Sequence, residues 1–136
     1  MQSTPFDQTF EQRLARIDPS KVMEHVVEDH GLSAADATRA EDLYRKYLTL
    51  KAMHSGAPIV PPRIVDLVWH AHITFTRQYM ADCQLLFGEY LHHTPTDEDT
   101  TDMYEQGTIP MFENAFGINL YKQMLPQHYL CAESCS

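Results

Sequence analysis

Cysteine is scarce in this chain: 136 residues contain three, at Cys83, Cys131 and Cys135. An odd number without framework spacing does not staple a small secreted domain, so a reducing, cytoplasmic setting is expected. Long hydrophobic runs are missing too, which excludes a helix crossing a bilayer. The opening MQSTPFDQTFEQRLARID has no basic start followed by an apolar block, and so does not read as a secretory signal. Cations are few: ten Lys and Arg stand against nineteen Asp and Glu, for a net charge of −9. Phosphate recognition needs clustered Lys and Arg, so neither nucleic acid nor an anionic membrane surface is an expected partner. Alternating strand patterns are also lacking. The only candidates, around Ala57–Val60 and Thr108–Phe112, are short and interrupted by proline. No internal repeat or low-complexity tract is present.

What is there is helical periodicity. The length suits one domain, and 43% hydrophobic residues suffice for a core. Phe6, Phe10, Leu14 and Ile17 recur at helical spacing and predict a helix over about 7–17. Asp18-Pro19 then looks like an N-cap followed by proline at the first helical position, with Gly31 as the stop. Ser33 opens the next helix, striped by Leu43, Tyr47 and Leu50 and ending around His54–Gly56. The proline-rich 56–63 segment is too short to be an interdomain linker. A helix from Arg63 to about Thr74 follows. Another, capped by Thr74 or Thr76, runs to about Tyr90 with Tyr79, Cys83, Leu86 and Phe87 inward. Residues 110–117 make a short helix closed by Gly117. The expectation is a mainly α, single-domain bundle of five to six helices, with 122–136 as a C-terminal tail.

The helix from Arg63 carries the candidate chemistry. Ile64, Val65, Leu67, Val68, Trp69, Ala71 and Ile73 cover most of its circumference, the signature of a buried helix. Arg63, Asp66 and His70, spaced by three and four, stack on one face. A buried polar row must be satisfied by a protein partner, a metal or a ligand. Asp66 and His70 lie one turn apart and can reach one ion. His93, in the pair His92-His93 after the following helix, is the best-placed third ligand. Two imidazoles and a carboxylate suit zinc or iron(II). The competing reading is an internal network, with Asp66 accepting from Arg63 or His70. His72 sits about 200° around a regular helix from His70. It joins the site only if the helix unwinds near Ala71, and otherwise packs beside Tyr79 or caps a helix end.

Asp66-Leu67-Val68-Trp69-His70-Ala71-His72, then Tyr79, then Gly88-Glu89-Tyr90-Leu91-His92-His93 resembles the N-terminal segment of the plant glycine-rich-domain-containing family. The likeness runs from about Tyr44 to Tyr121 and includes Phe112-Glu113 and Phe116-Gly117. It departs at Thr94-Pro95, where the plant pattern has two acidic residues. The resemblance implies a family-like core over 44–121 and singles out Asp66, His70, His72, Tyr79 and His93 together. RNA binding, suggested for that family, does not carry over to an acidic chain without a glycine-rich tail. With the resemblance, a ligand or metal site moves ahead of the internal network.

Two functions follow. In the first, the chain is a small metal-dependent enzyme of undetermined reaction. Asp66, His70 and His93 hold zinc or iron(II), His72 and Tyr79 assist in catalysis, and a small molecule or peptide occupies the open positions. In the second, it is a non-catalytic module that binds a protein partner, and the same residues form a closed structural network. Cys83 reads as a core residue rather than a nucleophile, and Cys131 with Cys135 as part of a disordered end. His25, His30, His54 and His128 read as surface residues.

Overall fold

The structure is a computed structural model that describes residues 8–94 and 98–132. Five helices come first: α1 (Phe10–Leu14), α2 (Ser20–His30), α3 (Ala34–Met53), α4 (Arg63–Thr74) and α5 (Thr76–Phe87). A sixth helical run, α6, joins Thr101–Met103, a π-helical turn over Tyr104–Thr108, and Ile109–Phe116. Two 3-10 turns, Leu120–Lys122 and Gln127–Tyr129, complete the described chain. The protein is mainly helical. Its one extended pairing among the described residues is the isolated bridge between Pro62 and Ala132. No helix of the described residues is long and apolar enough to cross a membrane.

Local chemistry explains most boundaries. Thr9 and Gln12 form a capping box: the Thr9 hydroxyl accepts from the Gln12 amide at 3.1 Å, and Gln12 Oε1 accepts from the Thr9 amide at 2.9 Å. This box starts α1 later than periodicity alone suggested, and Phe6 lies outside the described residues. Pro19, not Asp18, is the N-cap of α2, while Asp18 accepts from the Ser20 amide at 3.1 Å. Ser33 caps α3 by accepting from the Asp36 amide at 3.1 Å. Gly88 caps α5 with φ of 71°, so the helix ends at Phe87, three residues before the expected Tyr90, because the left-handed C-cap position suits glycine. The proline of the Thr108–Phe112 segment sits in a helix instead of a strand. Pro110 has no amide to offer Gln106, and the backbone just ahead of it widens into the π turn.

α4 is the centre of the bundle, packed against α2, α3 and α5. Ile64, Val65 and Val68 are fully buried there, together with Leu43, Tyr44 and Leu50 of α3. The irregular 57–62 strap lies over this core, and its carbonyls are claimed by side chains. Tyr47 donates to Ile59 at 2.6 Å, Thr108 to Val60 at 2.7 Å and Lys51 to Ala57 at 3.2 Å. Such partners are what a partly buried, non-helical backbone requires.

The C-terminal segment up to Ala132 is not a loose tail. Leu120, Leu125, Leu130 and Ala132 are buried. The Arg63 amide donates to the Cys131 carbonyl at 2.8 Å, and the Tyr104 hydroxyl donates to that of Leu130. Cys131 is therefore anchored against the start of α4, while Cys135 lies outside the described residues.

Candidate metal centre

α4 runs as a regular helix from Arg63 to Thr74, so Asp66 and His70 emerge on the same face one turn apart. His93 arrives from the extended segment after Gly88. The three ligand atoms converge: Asp66 Oδ1 is 2.5 Å from His93 Nε2, His93 Nε2 is 3.0 Å from His70 Nε2, and His70 Nε2 is 3.4 Å from Asp66 Oδ1. Among the described residues this is the group of His, Cys, Asp and Glu placed to hold one ion.

The row is less buried than the apolar circumference of α4 suggested. The His93 side chain is 8% exposed and that of Asp66 18%, but that of His70 is 57% exposed. The core takes the Ile64–Val65–Val68 face of α4, which turns the polar face to the rim of the bundle. Arg63 does not pair with Asp66, and its Nε is buried without a hydrogen-bond partner.

One nitrogen of His93 faces both partners. A neutral imidazole nitrogen carries either a hydrogen or a lone pair. With a hydrogen, His93 Nε2 donates to Asp66 and can share that hydrogen with a lone pair on His70 Nε2; without one, it meets the carboxylate lone pair to lone pair. A cation would instead accept a pair from all three. Zinc with bonds near 2.0–2.1 Å sets tetrahedral ligand edges of about 3.3 Å. The His70–Asp66 separation of 3.4 Å matches that edge, while the two separations from His93, 2.5 and 3.0 Å, are shorter than it.

His93 is held from behind. Its ring lies on the Trp69 indole with centroids 4.1 Å apart. Trp69 Nε1 donates to the Tyr79 hydroxyl at 2.8 Å, and that hydroxyl donates to the Leu91 carbonyl at 2.5 Å. Burial pushes the Tyr79 phenol well above its ordinary range, which keeps its proton in place for Leu91.

His72 belongs to a different cluster. α4 does not unwind at Ala71, so His72 faces the interior and is 2% exposed. Its Nδ1 is 2.6 Å from the Tyr44 hydroxyl and its Nε2 is 2.8 Å from Asp82 Oδ2. Its ring meets Tyr79 edge to face at 4.9 Å, so of the three sequence readings the packing beside Tyr79 holds. Burial drives the Tyr44 phenol far above its usual value, so the hydroxyl keeps its proton and can donate to Nδ1, the arrangement in which His72 carries its own hydrogen on Nε2, toward Asp82. Cys83 is buried, and burial raises its thiol, which disfavours a nucleophilic thiolate.

Space adjoins the trio on both sides. His93 and Trp69 wall a cavity of about 350 Å³ with Tyr47, Lys51 and Glu98. His70 borders a groove of about 290 Å³ between α2 and α4, which His25, Asp29 and His30 also line. Sequence reasoning placed His25 and His30 on the surface without noting this shared groove. It also missed Asp82 and Tyr44 as partners of His72, which a polar residue three after Tyr79 on an otherwise inward face could have signalled.

The family model that matches is described as UCP032817-like and covers residues 11–110, nearly three quarters of the chain. It takes in both polar clusters. This match overturns the likeness to the plant glycine-rich-domain-containing family, because the family model that covers residues 11–110 is that of a different family. No curated protein and no solved structure matches the chain.

Proposed function

Because the chain belongs to the UCP032817-like family, whose description names no activity, the site itself carries the reading, and we propose that Asp66, His70 and His93 bind one divalent metal, zinc or iron(II), in a small metal-dependent enzyme. The observation that supports this most is the convergence of three ligand atoms, one each from Asp66, His70 and His93, within 4.8 Å of one another. Three protein ligands leave a coordination position open, as catalytic sites do. The exposed His70 puts that position at the rim, beside cavities sized for a small molecule or peptide.

When bound, the metal would polarise a substrate oxygen or activate water. The residues of the chain would hold it, with Asp66 supplying negative charge and Trp69 excluding water from one side of His93. The competing structural-module reading predicts a closed network. That description fits Tyr44–His72–Asp82, which is paired throughout and whose side chains are at most 14% exposed, better than it fits a trio with a 57% exposed imidazole.

Purified untagged protein, prepared anaerobically so that iron survives, is expected to hold about one equivalent of metal. Zinc at a hundred times its Kd should add ~2.7 kcal/mol of stability. That raises Tm by roughly 9 °C for a chain of this size. His70→Ala should abolish both effects while keeping the helical signal, since this side chain is the exposed member of the trio. Wild-type protein that holds no metal and shows no shift with zinc or iron(II) refutes the reading.

A further inference from the structure

We infer that the Tyr79 hydroxyl is the positioning group of the site: it fixes His93 in ligating geometry by tying Trp69 to the 88–94 segment. The inference rests on the metal reading and assigns Tyr79 a role that needs no contact with substrate.

Tyr79 is 1% exposed, so its hydroxyl is not available to a ligand. That oxygen stands between two groups that bracket His93. It accepts from the indole on which the His93 ring rests, and it donates to the carbonyl two residues before His93. The segment from Gly88 to Thr94 has no helix or strand of its own. Without the bond to Leu91, little in regular backbone structure would fix where His93 points. The indole would also lose the acceptor that sets its tilt. A ligand on an extended segment needs this kind of support, and loss of an outer partner commonly weakens metal affinity. Behind Tyr79 stands the buried His72, edge-on to its ring and locked by Tyr44 and Asp82. His72 gives both ring nitrogens to that inner cluster and meets Tyr79 only through its ring edge, so the tie to His93 runs through the phenol hydroxyl alone.

The test compares Tyr79→Phe with Tyr44→Phe. Both remove one buried hydroxyl and keep the ring, but only the first touches Trp69 and Leu91. Co(II) affinity is read by competition with a chelating dye. Tyr79→Phe is expected to raise Kd by roughly 10–100-fold, and Tyr44→Phe to leave it within a factor of about three, since it lacks any contact with the outer partners. A second readout uses metal-free protein. The His93 ring protons, stacked on Trp69, should show ring-current displaced NMR shifts. Tyr79→Phe should return them toward ordinary histidine values, and Tyr44→Phe should not. The inference is overturned if Tyr79→Phe retains both the displaced shifts and the wild-type Kd, or if Tyr44→Phe disturbs His93 as strongly. Wild-type protein that binds no Co(II) counts against the metal reading alone, and the ring-current comparison still decides the role of Tyr79.

Discussion

Removing the Tyr44 hydroxyl isolates one buried interaction. Tyr44 and His72 are 1% and 2% exposed, and the hydroxyl lies 2.6 Å from Nδ1. In Tyr44→Phe the ring packing remains and Nδ1 keeps a lone pair with nothing to meet it. Leaving one buried partner unsatisfied costs about 1–3 kcal/mol, more than the net worth of a typical hydrogen bond. Unfolding entropy near 2.1 cal/mol/K per residue makes 1 kcal/mol worth roughly 3.5 °C for this chain, so Tm should fall by roughly 4–10 °C. Asp82→Asn is the internal comparison. Asparagine keeps an oxygen to accept from His72 Nε2, so its loss should be the smaller of the two. Urea titration at neutral pH followed by far-UV circular dichroism gives both values. A Tyr44→Phe change within about 0.5 kcal/mol of wild type, the range of ordinary surface substitutions, would mean that Nδ1 was never dependent on Tyr44.

Alkaline titration should separate the buried phenols from the rest. Tyr44, Tyr79 and Tyr104 are all pushed upward by burial. Their folded-state values exceed the unfolded one, so their contribution is fully present below about pH 10 and drains away as pH rises further. Of the seven tyrosines, at least these three should ionise only as the helical signal is lost. Smooth phenolate formation by all seven near pH 10 with the fold intact would contradict this. Gly88→Ala should cost about 1–2 kcal/mol, because a residue with a Cβ is strained at φ of 71° although nothing within 4 Å blocks the added carbon. A stability curve superimposable on wild type would show that the α5 C-cap rearranges freely.

Most helices were legible because local chemistry marks them: Ser33 at one start, Gly31 and Gly117 in left-handed stops, and the 3.6-residue stripes between, whereas the stripe running on to Tyr90 hid the equivalent stop at Gly88. The spacing of Asp66 and His70 on one face was equally local. The 2.5 Å approach of His93 to Asp66 is a long-range contact that no local spacing encodes. Other features were not readable. That the polar face of α4 turns to the rim depends on which side α2 and α3 occupy. The pairing of His72 with Asp82 depends on how α4 folds back along α5. The anchoring of 118–132 rests on single contacts, such as Tyr104 to Leu130, between residues with no periodic relation. Conversely, Pro110 was read correctly as hostile to a strand, but its compatibility with a π-widened helix was not anticipated.

One residue, Phe75, separates α4 from α5. With so short a joint, the two helices cannot slide past each other; they can only open or close like a pair of tongs about that point. Asp66 and His70 sit on one arm, and the segment that delivers His93 leaves the far end of the other. The Tyr79 hydroxyl, bonded to Trp69 on one arm and to Leu91 beyond the other, is the pin that holds the arms at one spread. A force that spreads the arms would part His93 from its neighbours without altering either helix.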